Sequence, residues 1–309
     1  MAINRASISK ELLPGLNAVF GLEYGQVNNE HESLFDVENS DRAFEEEVLF
    51  TGFGEAPVKG EGAAVVYDTA SESYTARYTA ETIALAFAVT EEAMEDNLYD
   101  TFAKLRAKGL ARAMATTKQV KAADIFNKAF AAGGVTYGDG VSFISNAHPT
   151  IGDGNQSNLL GAADLAQTTL ETALTSIQKT KDDRGILIGA SALSLHIPVD
   201  SWHIADVILN TPGTTKGILG TGDHFAQNDI NPVRHMGMVP QGFYVNRRFT
   251  DTDAWFVKTD VPNGAKMFTR TPLQTKMEPD FDTGNLRFKA RERYSFGVSD
   301  WRGYYGSAG

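Results

Sequence analysis

The sequence contains no cysteine, which excludes disulfides, cysteine-ligated zinc and thiol catalysis and leaves no redox argument for secretion. No stretch approaches the roughly 18 apolar residues of a membrane span, and the N-terminal MAINRASISKELLPG lacks an apolar run of signal-peptide length. The expectation is a soluble chain made in a cytoplasm. Phosphate-loop (G-x-x-x-x-G-K-S/T), nucleophile-elbow (G-x-S-x-G) and metalloprotease (H-E-x-x-H) patterns are all missing, so an enzymatic reading has no nucleus. Basic charge is also short. A net charge of -11 argues against a dedicated nucleic-acid binder, which needs a basic patch.

What is present is ordinary globular composition, 42% hydrophobic and 22% charged over 309 residues, enough for about two domains. The charge is unevenly placed. Residues 1–100 hold 20 acidic and 5 basic side chains, whereas residues 101–309 hold 19 and 23. The two parts can attract within one chain or between neighbours, where an acidic arm across a basic region would orient assembly.

Residues 1–42 read as an extended arm, with apolar anchors Leu12, Leu16 and Phe20 followed by an acidic, turn-rich stretch. A β pattern covers 43–89: Phe44 to Phe50, a Gly/Pro-rich loop from Thr51 to Gly62, then the alternation of Tyr74, Ala76 and Tyr78 and of Ile83, Leu85, Phe87 and Val89. A helix pattern follows from Thr90, a candidate N-cap, to Phe130. Glu91, Glu92, Glu95 and Asp96 lie in its first turns, and Met94, Leu98, Phe102, Leu105, Ile125 and Phe126 mark its apolar face. Met114 to Thr117 lacks a strong stripe and could break it; Gly133-Gly134 ends it. Some forty residues of helix would be about 60 Å long, and a lone hairpin is marginal in water, so both need surfaces from elsewhere. Downstream come a helix over 162–180 (Leu165, Leu170, Leu174, Ile177), a buried strand over 185–198, a helix over 200–209 capped by Asp200, strands over 233–244 and 253–258, and the alternation Arg287 to Phe296. The whole is α+β, without a βαβα rhythm or internal repeat.

Three weaker patterns have bland readings beside the chemical ones. Gly217-Ile-Leu-Gly220-Thr-Gly222 lacks the Lys-Ser/Thr of a phosphate loop and reads as a flexible loop. Asp153, Asn155, Ser157 and Asp164 match positions 1, 3, 5 and 12 of a calcium loop, but the turn glycine is Asn158 and the bidentate glutamate is replaced, so a solvated loop fits better. The six histidines, His196 and His203 among them, show no metal spacing. No cofactor or metal is called for.

The order of elements, with the run Lys181-Asp-Asp-Arg-Gly-Ile-Leu-Ile-Gly-Ala-Ser-Ala-Leu-Ser-Leu-His-Ile-Pro-Val-Asp200 and the helix after it, resembles major capsid proteins of tailed bacteriophages with the Hong Kong 97-like fold, in the flavour of the phage-Mu-type major head subunit. The resemblance covers nearly the whole chain. It implies an N-arm (1–42), an E-loop hairpin with its return strand (43–89), the spine helix of a P-domain (90–132), an A-domain (133–265) with a loop at 213–223 near the five- and six-fold axes, and C-terminal strands completing both domains (266–309).

The implied function is a shell subunit without catalysis, building pentamers and hexamers of an icosahedral head that encloses double-stranded DNA without reading its sequence. The implied partners are other copies of the chain, portal and scaffolding proteins and a decoration or cement protein, with no membrane, and with assembly in the bacterial host cytoplasm. A start at Met1 close to the arm implies a separate scaffolding protein. Interface candidates are the arm anchors Leu12, Leu16 and Phe20, the hairpin tip Glu55, Lys59 and Glu61, and the helix basics Arg106 and Arg112. Lys59 is the one lysine near the tip for the cross-link some relatives form, though no partner asparagine or assisting glutamate can be placed. An encapsulin-type nanocompartment shell is the alternative within the fold. A soluble enzyme or ligand-binding protein using the Gly-rich loop 213–222 is the alternative of another class.

Overall fold

The computed structural model describes residues 8–90, 92, 99–131, 138–212, 230–280 and 283–309. The chain opens with α1 (Ile8–Gln26), a single helical turn α2 (His31–Leu34) and the short strand β1 (Asp36–Asn39). The arm expected to be extended is therefore largely helical. Leu16 and Phe20, one turn apart, are buried against Ala103, Ala107, Leu110, Ala111 and Met114 of α3 (Tyr99–Asn127). Gly15, Gly21 and Gly25 each cost about 1 kcal/mol against alanine in a helix, and Pro14 about 3, which is why the segment reads as extended in isolation. Burial of one apolar face on α3 outweighs that local preference.

α3 runs unbroken through Met114 to Thr117, where a break was possible on the sequence pattern. The stripe it buries there is built of alanines, a glutamine and one methionine, residues that a search for large apolar side chains passes over. Leu105, placed on the apolar face by that search, is 65% exposed. Glu91, Met94, Glu95, Asp96 and Leu98 of the expected first turns, and the terminating Gly133-Gly134, lie outside the described residues.

Strands β2 (Phe44–Phe50) and β3 (Glu72–Thr79) pair antiparallel as a two-stranded hairpin. β4 (Glu81–Val89), which the alternation seemed to continue from the hairpin, belongs instead to a four-stranded sheet of order β1-β10-β11-β4, with β10 (Ala265–Pro279) and β11 (Leu286–Val298) in its middle. Phe288 and Ala290 of β11 and Val89 of β4 face α1 and α3 across this sheet, forming one core.

After a small hairpin, β5 (His148–Thr150) and β6 (Gly154–Gln156), the chain builds a second sheet of order β12-β9-β7-β8 from β7 (Ala192–Pro198), β8 (Phe243–Asn246), β9 (Trp255–Thr259) and β12 (Tyr304–Ser307). α4 (Gln167–Gln178) covers it with Leu170, Leu174 and Ile177, and α5 (Trp202–Asn210) with Ala205 and Ile208. Leu165 is buried there too, from just before α4. Asp200 lies in a 3-10 turn that makes no side-chain cap. Where a strand was expected over 233–244, the chain makes α6 (Pro232–His235) and turns before β8, because Asn231 caps Val233 and Arg234 and Pro232 sits at the first helical position. A third core joins the two sheets: Phe126 of α3 stacks edge-on against Phe143, Phe256 and Tyr304, alongside Met267, Tyr294 and Trp301.

Candidate assembly surfaces

The hairpin is anchored at its base by a polar knot centred on buried Lys266. Lys266 Nζ on β10 lies 2.5 Å from Glu47 of β2 and 3.0 Å from Glu38 of β1. Burial works against its charge, but the two carboxylates outweigh burial and raise its pKa. Glu47 also accepts from Ser299, whose hydroxyl is 2.5 Å from the Tyr78 hydroxyl; burial pushes the Tyr78 phenol up. Further out, Tyr74 donates to the Pro149 carbonyl at 2.8 Å, and Arg184 reaches the Thr69 carbonyl and Asp68. Thr51 and Ser71 exchange three hydrogen bonds of 2.9 Å that close the stem of the loop between β2 and β3.

Beyond that stem the loop is uncovered among the described residues. Phe53, Val65 and Val66 are about two-thirds exposed, Tyr67 is 94% exposed and Val58 fully so. The tip residues Glu55, Lys59 and Glu61 are exposed as well. An apolar surface of this kind marks an interaction site. Trp202, Ile204 and Val207 of α5 are also about half exposed.

The remaining interface candidates fall differently. Leu16 and Phe20 are committed to the chain's own core, and Leu12 lies on the same helix. Arg112 holds Glu23 of α1 at 2.5 Å, and Arg106 is exposed. Arg106 and Arg112 line a groove of about 630 Å³ between α3 and β4, with Leu85, Phe87, Leu105 and Lys108.

The charge asymmetry is met within one chain at several points. Glu23, Glu30, Asp36, Glu38 and Glu81 pair with Arg112, Arg247 and Arg248, Lys258, Lys266 and Lys121 respectively. The acidic first third is therefore stitched onto its own basic helix and C-terminal strands.

Sequence reasoning missed the buried polar groups. Lys118 of α3 is held at 2.7 Å by buried Glu292 of β11 and at 2.5 Å by Tyr24. Asp183 of the run that carries the resemblance pairs with buried Arg302, which also donates to the Lys181 carbonyl. His148 stacks on Trp301 and bridges Asp139 and Asn158, while Asn158 donates to the carbonyls of Phe143, Trp301 and Tyr304. Asp153 of the calcium-like spacing is bound by Lys181, and among the described residues no group of three His, Asp or Glu could hold a metal. The Gly-rich loop 213–222 lies outside the described residues.

A buried-core scaffold carrying an uncovered hairpin tip is what the family comparison explains. The profile of the phage capsid protein family matches residues 73–307. The chain belongs to that family. Among solved structures, a virus-like particle from Pyrococcus furiosus aligns over 95% of this chain and 98% of its own at 9% identity, with a TM-score of 0.52. The procapsid of bacteriophage JBD30 aligns over 99% and 76% at 13% identity and 0.53, and the capsid of cyanophage P-SCSP1u over 89% and 86% at 11% and 0.53. At these identities the likeness gives the fold, the Hong Kong 97-like capsid fold. No curated protein matches the sequence. As a phage capsid protein, the chain is a structural component of a virion head.

Proposed function

We propose that the chain is the major shell subunit of a double-stranded DNA tailed phage, self-assembling into pentamers and hexamers in the host cytoplasm with no catalytic step. The observation that carries this reading is the hairpin tip, a loop clasped at its stem by Thr51 and Ser71 and presenting Phe53, Val58, Val66 and Tyr67 as exposed side chains among the described residues of its own subunit. In this reading β2 and β3 with their loop are the E-loop laid on a neighbour, α3 is the spine helix of the P-domain, and the β12-β9-β7-β8 sheet is the A-domain that gathers around the capsomer axes. Many individually weak contacts then add through the lattice. Portal and scaffolding proteins are the partners such a shell needs. The net charge of -11 suits a wall that encloses DNA rather than gripping it.

The test is electron microscopy of the purified chain, alone and co-expressed with candidate scaffolding proteins from the same genome. Shells, tubes or hexameric rings support the reading. DNA inside them separates a phage head from a nanocompartment, which would enclose a cargo protein.

A further inference from the structure

Among the described residues, β4 is an edge strand with no strand on its outer side. Natural sheet edges are blunted by lysines, prolines or bulges, yet β4 reads Glu81-Thr-Ile-Ala-Leu-Ala-Phe-Ala-Val89, with its single charge at its first residue and no proline or glycine. Its ladder with β11 runs from Val89 to Glu81 without a register shift, and among the described residues no strand pairs its other side. An edge so regular and so apolar is a template for another strand. The groove described above opens beside it, apolar at Leu85, Phe87 and Leu105 and bearing Arg106, Lys108 and Arg112.

The hairpin loop carries a matching segment. Ala63-Ala-Val-Val-Tyr67 is rich in the β-branched and aromatic residues that favour strands, but it forms no strand within the subunit. It is exposed along its whole length and lies between Glu61 and Asp68, in a loop whose other charges are Glu55 and the single Lys59. Its chemistry complements the groove in both respects, apolar against apolar and acidic against basic.

We infer that residues 63–67 of one subunit add as a strand to the β4 edge of a neighbouring copy, with Val65 and Tyr67, which share one face of that strand, over the α3 groove and Val66 on the opposite face beside Ala84 and Ala86. Main-chain hydrogen bonds supply affinity in this mode of recognition, and alternate side chains supply register. The inference rests on the shell reading above and goes further by naming the two segments and the bond type that join them.

The absence of cysteine makes the test clean, since every disulfide formed is an engineered one. Val65→Cys, Val66→Cys and Tyr67→Cys are each combined with Ala84→Cys or Ala86→Cys, assembled, oxidised and run on a non-reducing denaturing gel. At least one combination is expected to turn most of the monomer band into a ladder, while single-cysteine chains stay monomeric. Mixing a differently tagged Val66→Cys chain with an Ala86→Cys chain places the bond between subunits. Val66→Pro, which removes a backbone donor from an exposed loop, is expected to cut shell yield several-fold with the subunit's melting temperature unchanged. Shells that form normally in Val66→Pro, with no cross-link from any combination, overturn the strand addition and leave the shell reading standing. A parent chain that forms no shells under any condition removes the shell reading and this inference together.

Discussion

The ring of Tyr78 lies directly on the backbone of Gly297. A Cβ at position 297 would stand 2.6 Å from the ring's Cε1, so the hairpin seats on β11 only because that residue has no side chain. Tyr78 and Ser299 then complete the knot with Glu47 and Lys266.

Gly297→Ala is expected to push the ring out and destabilise the subunit by about 1–3 kcal/mol, the usual cost of overpacking a filled site. Urea unfolding measures the loss. Proteolysis within the loop between β2 and β3 should speed up in parallel, because the hairpin loses its seat. Unchanged unfolding and cleavage would show that the contact does not hold the hairpin.

Lys266→Ala removes one ammonium shared by Glu38 and Glu47 and leaves two carboxylates facing each other. Lys266 is itself buried, so about 2–4 kcal/mol is expected, near the range for breaking buried pairs. Glu47→Gln, which keeps an acceptor for Ser299, should cost less. Equal losses in the two variants would contradict the central role of the lysine.

Leu16→Ala and Phe20→Ala distinguish a core role from an interface role. Both side chains are buried in the subunit, so each should lower the unfolding free energy of the unassembled chain by about 2–5 kcal/mol. Were they contacts between subunits only, unassembled chains would melt as the parent does and only shell yield would drop.

His196 sets an acid limit. Burial pushes its imidazole down to about 3, and among the described residues Nδ1 has no hydrogen-bond partner, Nε2 being 3.0 Å from Ser194 Oγ. The unfolded chain takes up a proton below about 6.5 while the folded chain does not, so stability present above that pH is lost as pH falls. By pH 5 the loss is about 2 kcal/mol. His31, also pushed down by burial, adds to the trend, and Asp300, pushed up by burial, opposes it at the acid end. His196→Gln should flatten the fall in melting temperature between pH 7 and pH 5. A parent protein equally stable at both values would contradict this.

Much of the fold was legible where side chains alternate or recur with large apolar groups. Phe288, Ala290 and Tyr294 face the core from β11, and Leu170, Leu174 and Ile177 mark α4. Legibility failed where burial uses small or polar residues. Ala103, Ala107 and Ala111 form the seat for α1, and nothing local distinguishes them from surface alanines; without that seat, α1 with its glycines read as extended. β4 was joined to the hairpin because alternation carries no information about which strand is the partner. That choice is made by β11, some 200 residues away in sequence. The hairpin tip is marked by its Gly/Pro content, but its exposed apolar residues, Val65 to Tyr67, do not stand out beside the charged Glu55, Lys59 and Glu61. The knot at Lys266 joins residues from four distant stretches and leaves no local trace.

The most direct test of the account is negative-stain electron microscopy with light scattering on the intact chain, alone and with candidate scaffolding proteins. Closed shells, tubes or hexameric rings are the expected result. A homogeneous monomer or dimer under every condition would contradict the account.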